Sequence, residues 1–137
     1  MPRITSDTIA TIRLIALSAT GLVCLAYALF ALALGRPDPF SPWIPLGIGV
    51  FAAATIALTA FAAGDDAAEI ATDELYFAES HRAQRIGYWI AVALYPAFGV
   101  ALGSGWVSYP VAFAAMGTLT GAAFLLSFAI LNLRGAA

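Results

Sequence analysis

The sequence predicts an all-α integral membrane protein, four transmembrane helices arranged as two hairpins with both termini in the cytoplasm. Three observations carry that prediction. Apolar runs at residues 12–34, 43–63, 86–102 and 107–133 approach or exceed the roughly 20 residues a helix needs to cross hydrocarbon. Hydrophobic residues make up 62% of the 137-residue chain and charged residues 10%, with mean hydropathy +0.91, whereas a soluble domain carries about 25% charged residues. Finally, no Asp, Glu, Lys, Arg or His falls in the middle of any run. Peptide groups in lipid must be satisfied within a helix or a closed barrel, and these runs lack the alternating polar pattern of barrel strands.

The first span, residues 12–34, follows Arg3 and Arg13 and ends in Ala31-Leu32-Ala33, a sequence that signal peptidase accepts. Its length exceeds the 7 to 15 residues of a signal h-region, which favours a retained helix over a cleaved leader. Arg36-Pro37-Asp38-Pro39-Phe40-Ser41-Pro42 cannot continue that helix, so the second span, 43–63, returns antiparallel. A polar segment at 64–72 leads to the third helix, expected over 73–102 with its first turns outside the lipid. Gly103-Ser104-Gly105-Trp106 is too short for anything but a second hairpin with the fourth span, 107–133. Arg13 and Arg85 precede the first helix of each hairpin, a loose correspondence that leaves a parallel duplication open.

Five of the six arginines, Arg3, Arg13, Arg82, Arg85 and Arg134, fall on one side of this layout, and Arg36 alone falls on the other. The positive-inside rule makes that side cytoplasmic. Phe40, Trp43, Trp106 and Tyr109 then sit at the outer interface and Tyr88 and Trp89 at the inner one, where aromatic rings serve as anchors. There is no basic cluster that would track a phosphate backbone, so nucleic acid is not an expected partner. The single cysteine, Cys24, lies within the first span and reads as a small packing residue rather than a reactive thiol.

Lipid tails are as apolar as leucine, so helices in a bilayer associate through close approach at small residues. Gly117 and Gly121 form a GxxxG pair in the fourth span, and Gly49, Ala53 and Ala57 recur every four residues in the second. Both are expected helix-packing stripes, the GxxxG within the bundle or, alternatively, as a homodimer seam. Tyr95-Pro96 in the third span is a further expectation. Proline frees a carbonyl acceptor in mid-helix and favours a kink, and that carbonyl with the Tyr95 hydroxyl could line a small polar pocket.

The segment 64–85 holds six of the eight acidic residues: Asp65, Asp66, Glu69, Asp73, Glu74 and Glu79. Thr72 followed by Asp73 and Glu74 reads as a helix start, a capping hydroxyl with negative charge at the positive end of the dipole. Glu79 and Arg82 are then neighbours at i, i+3. Asp73, Glu74, Glu79 and Arg82 are the expected partner-docking residues. A metal site is not expected. There is no Glu-x-x-His pair and no calcium-loop pattern, and the single histidine, His81, cannot supply both axial ligands to a haem.

Thr72-Asp73-Glu74-Leu75 and Ala83-Gln84-Arg85-Ile86-Gly87-Tyr88-Trp89, set between two hairpins, resemble the uncharacterised small four-helix bacterial inner-membrane proteins that carry an Asp-Glu motif before the third helix. The resemblance implies the four-helix topology and a bacterial inner membrane, and no activity.

Chemistry must therefore rank the functions. No Ser-His-Asp set, paired membrane-facing carboxylates, metal-ligand cluster or nucleotide loop can be assembled, so neither an enzyme nor a cofactor is expected. Coupled transport generally needs the buried charge that these spans lack. The expected function is a non-catalytic membrane module, an accessory subunit of a membrane complex or a small self-associating regulator. Its partners are the lipid bilayer and another membrane protein or a second copy. The alternative is a small oligomeric transporter or channel lined by hydroxyl side chains.

Overall fold

In the computed structural model, which describes residues 5–72 and 74–135, the chain forms five helices. These are α1 (Ser6–Leu34), α2 (Trp43–Ala63), α3 (Asp65–Ala71), α4 (Glu74–Gly103) and α5 (Tyr109–Gly135). All but α3 are long and apolar enough to cross a membrane.

The helix ends follow from local chemistry. At the start of α1 the Thr8 amide donates to Thr5 Oγ1 at 3.4 Å, and Asp7 stands in the first turn, so a hydroxyl and a carboxylate complement the exposed amides. At its end Gly35 takes φ 63°, and the Arg36 amide reaches back to the Ala31 carbonyl at 3.1 Å. The left-handed conformation there is cheap only for glycine. Gly64, at φ 87° and ψ 167°, separates α2 from α3 in an extended conformation of positive φ that is also cheap only for glycine. After α4 the Trp106 amide bonds the Ala101 carbonyl at 2.9 Å across Gly105, whose φ is 75°.

Two expectations about boundaries change here. The α1 helix starts at Ser6, not near residue 12, so Arg13 lies about two turns inside it and is buried. The segment 64–72, expected as a loop, contains the short helix α3. The Thr72 hydroxyl donates to the Ala68 carbonyl at 2.8 Å, so it serves the end of α3. Asp73 lies outside the described residues.

Helices α1 and α5 form the central pair, α2 packs on α1 and α4 on α5, which gives the spatial order α2, α1, α5, α4. The short α3 rests on α1 and α2. Small side chains make the central contacts: Ala28 and Ala31 on α1, Ala83 on α4, and Ala112, Ala115, Ala122 and Ala129 on α5 are all buried. Ala115, Ala122 and Ala129 are seven residues apart, and so are Arg13, Thr20 and Tyr27, each buried on α1. A seven-residue repeat is the spacing of a knobs-into-holes seam between neighbouring helices.

Two glycines mark the closest approaches. A Cβ on Gly21 would stand 3.0 Å from Leu126 Cδ2 and 3.1 Å from Leu125 Cβ, and one on Gly87 would stand 3.2 Å from Phe124 Cβ. At the far end Phe98, Ala112 and Ala115 gather Leu32, Leu94, Leu102, Val107, Met116 and Leu119 into one apolar cluster. There the Tyr27 hydroxyl donates to the Pro37 carbonyl at 3.0 Å, and Phe30 meets Phe40 edge to face at 5.1 Å, tying the first interhelical loop to α1.

The anticipated GxxxG stripe needs correction. A Cβ on Gly117 or Gly121 would meet open space, so the GxxxG face is not an internal seam. The α5 helix instead presents its alanines to α1 and α4. On α2 the buried small residue is Ala52, while Ala53 and Ala57 are exposed. A Cβ on Gly49 would meet Thr20 Cγ2 at 4.0 Å. Ile48, Ala52 and Thr55 line one groove against α1, and Gly49, Ala53 and Ala57 line a second with Leu17 and Thr20 of α1 and Leu125 of α5.

Candidate functional site

Charged and polar side chains converge at the end of the array where α1 and α4 begin and α5 ends. Arg13 of α1, Tyr76 and Glu79 of α4, and Asn132 of α5 line one cavity of about 250 Å³, together with Ser6, Asp7 and Ile70. The helix starts dictate this grouping. Because α1 begins at Ser6 and α4 at Glu74, Arg13 and Glu79 both fall one to two turns inside helices that flank α5.

Arg13 is 6% exposed and Glu79 7% exposed, burial that charged side chains tolerate only with polar company. The company is present. Asn132 Nδ2 donates to Glu79 Oε2 at 3.0 Å. The Arg13 guanidinium carbon stands 4.0 Å from the centroid of the Tyr76 ring, a cation–π stacking worth roughly 0.5–2 kcal/mol. Tyr76 meets Phe128 of α5 edge to face at 5.6 Å. No buried side-chain N or O atom among the described residues lacks a hydrogen-bond partner.

Such an arrangement can clasp three helices in register, since each of α1, α4 and α5 contributes a group that the next one needs. It holds no nucleophile beside a base. His81, on α4, is exposed, and no three His, Cys, Asp or Glu among the described residues could share a metal ion.

The docking residues named from sequence divide. Glu74 and Arg82 are exposed, Asp73 lies outside the described residues, and Glu79 is turned into the clasp, which removes it from the surface. Asp65, Asp66 and Glu69 on α3 are exposed as well. Sequence reasoning missed Asn132 as the partner of Glu79, and Arg13 and Tyr76 as partners of each other beside it. The available signal was their placement: three polar residues at corresponding heights on spans that the hairpin layout brings to one end.

Tyr95 is 71% exposed on a groove of about 630 Å³ between α4 and α5, whose other walls include Phe98, Gly99, Met116, Gly117 and Thr120. Thr120 donates its hydroxyl to the Met116 carbonyl at 2.8 Å, a bond within its own helix. Pro96 lies within α4 without ending it and does not line the groove. The polar pocket expected at Tyr95 and Pro96 is therefore an open and mainly apolar furrow with one phenol on its wall.

Comparison of the chain with protein-family models, with curated proteins and with solved structures finds no match in any of the three.

Proposed function

We propose that the chain is a non-catalytic, multi-pass integral membrane protein of the bacterial inner membrane, with both termini and α3 on the cytoplasmic side. In this reading it is an accessory subunit or a small self-associating regulator that docks a basic partner segment on the exposed carboxylates of α3 and the start of α4. One observation carries the docking face. Asp65, Asp66, Glu69 and Glu74 are exposed and make no ion pair among the described residues, while the fifth described carboxylate of this stretch, Glu79, is consumed internally.

The same geometry argues against proton or ion relay through the clasp. Exposed Arg82, Arg85 and Arg134 must lie at or outside the headgroup level, because a lipid-facing guanidinium in hydrocarbon is expensive. Glu79 precedes Arg85 by six residues, which places it about 9 Å farther from the bilayer centre along α4. Arg13 and Asn132 share its height. Buried charge thus sits beyond the hydrocarbon, where it stabilises the array rather than lining a path.

A photocrosslinking residue in place of Asp66 tests the docking in cells. The reading expects a discrete adduct that disappears when Asp73→Asn and Glu74→Gln are combined with Glu69→Gln, and an adduct unchanged by that neutralisation would contradict it. The second reading, a small oligomeric transporter, has one observation in its favour, the Tyr95 hydroxyl on the α4–α5 furrow. Saturable flux in liposomes abolished by Tyr95→Phe would establish it.

A further inference from the structure

We infer that the chain associates with a second copy of itself through two unlike faces. The α2–α3 face of one copy, with Asp65, Asp66 and Glu69, receives the outer face of α4 of the next, with Arg82 and Arg85. This inference rests on the docking reading above and names the basic segment that docks.

Charge is segregated along the chain. Residues 43–72 hold Asp65, Asp66 and Glu69 and no Arg, Lys or His, whereas residues 80–103 hold His81, Arg82 and Arg85 and no Asp or Glu. On α3 the half-buried Ala67 and Ala68 turn toward α1 and α2, and the three carboxylates share the opposite side, within about 100° of one another. On α4 the buried Ala83 and Gly87 lie on the side of α5. Arg85 stands two residues from each of them, about 200° around the helix, so it points away from α5. Arg82 and Arg85 are exposed and make no ion pair among the described residues.

The two sets of charges stand at one depth. Asp65 and Asp66 follow the apolar run that ends at residue 63, and Arg85 directly precedes the one that begins at residue 86, so copies of like orientation hold both at the same membrane boundary. Nearby carboxylates do not cancel the arginines. Glu79 is bonded to Asn132 and shares its cavity with Arg13, and Glu74 is eight residues outside Arg82, about 12 Å along the helix and beyond a screening length of about 8 Å.

The apolar parts of both faces are open. Of the residues of α2 only Ala52 is buried, and Trp43, Val50 and Phe61 form an exposed stripe on the side opposite it. On α4 the exposed Val92 and Gly99 follow Arg85 at seven-residue intervals, and a Cβ on Gly99 would meet open space, which permits close approach of a neighbouring helix. A twofold dimer through either face would set like charges against each other, which is costly. Unlike faces therefore meet, and a pair of copies keeps one free face of each kind.

Disulfide trapping in membranes gives the test. In a Cys24→Ser background, one copy carrying Asp66→Cys is co-expressed with one carrying Arg85→Cys and oxidised. The mixed pair is expected to form a dimer several-fold more efficiently than either variant alone. Adding Asp65→Arg and Glu69→Arg to the first copy is expected to lower the yield about tenfold, and adding Arg82→Glu to the second to restore most of it. Absence of the mixed disulfide, which would leave α2 facing lipid, would overturn the inference. So would equal trapping of Arg85→Cys with itself, which would mean a twofold contact through α4, or a loss that the compensating reversal does not restore.

A photocrosslinking residue in place of Asp66 separates this inference from the reading beneath it. An adduct with the mass of two copies is expected. An adduct to a different protein would overturn self-association while leaving α3 a docking face, and no adduct to any protein would mean that the docking reading itself has failed.

Discussion

Removing the Asn132 side chain should destabilise the protein by stranding a buried carboxylate. Asn132 supplies the hydrogen bond to Glu79 Oε2 at 3.0 Å, and Glu79 is 7% exposed. A hydrogen bond to a charged group contributes about 1.5–3 kcal/mol. Arg13 shares the cavity, so the carboxylate left behind is not isolated, and the lower half of that range applies. The folded-to-unfolded ratio should therefore fall by a factor on the order of 10 to 45 in Asn132→Ala. Unfolding of the detergent-solubilised protein, titrated with a denaturing detergent and followed by circular dichroism, measures it. A double-mutant cycle with Glu79→Ala should return a coupling of at least about 1 kcal/mol. Replacing both residues by leucine should be less harmful than Asn132→Leu alone, because a hydrogen-bonded pair exchanged as a unit for apolar groups can be nearly neutral whereas one buried partner left unsatisfied is costly. Additivity within about 0.5 kcal/mol, or a double-leucine protein as unstable as the single, would refute the clasp.

Other substitutions probe the remaining contacts. Gly21→Ala places a Cβ 3.0 Å from Leu126 and should cost about 1–3 kcal/mol by overpacking, whereas Gly117→Ala meets open space and should fall within about 0.5 kcal/mol of wild type in the same unfolding assay. Tyr27→Phe loses the bond to the Pro37 carbonyl and should cost about 0.5–1.5 kcal/mol, with faster proteolysis of the loop at residues 35–42 as an independent readout. Neutralising Arg13 as Arg13→Met keeps its contact with the Tyr76 ring but removes the cation. It should cost about 0.5–2 kcal/mol, and this loss should largely vanish in a Tyr76→Leu background if stacking is its origin.

The element inventory was legible because hydropathy reports directly on span length. The α2 helix, Trp43–Ala63, is the apolar run itself, since Pro42 and Gly64 punctuate both ends. The start of α1 was not legible from hydropathy. Residues 6–11 are polar enough to read as a tail, yet Thr5 caps them and Asp7 complements their amides, so the helix extends well past the apolar edge. The same blindness hid the clasp. Arg13 was counted as a flanking charge for orientation, and counting charges does not reveal that it faces Tyr76.

Small-residue motifs misled for a different reason. Small residues are abundant throughout the spans, so the i+4 spacing of Gly117 and Gly121 singled out one face among several. The face actually used is the one where Ala115, Ala122 and Ala129 repeat every seven residues, a heptad spacing rather than the four-residue spacing of GxxxG. For the candidate site, the exposed carboxylates of α3 were legible as polar residues, but the burial of Glu79 depended on α5 delivering Asn132 beside it.

Cysteine-accessibility mapping tests the central claim most directly. In a Cys24→Ser background, single cysteines at Asp66 and at Ser104, which lie in α3 and in the turn between α4 and α5, would be probed in intact cells with a membrane-impermeant maleimide. The account predicts labelling at position 104 and protection at position 66 until the membrane is permeabilised. Labelling of both positions from the same side, or of position 66 alone from outside, would contradict it.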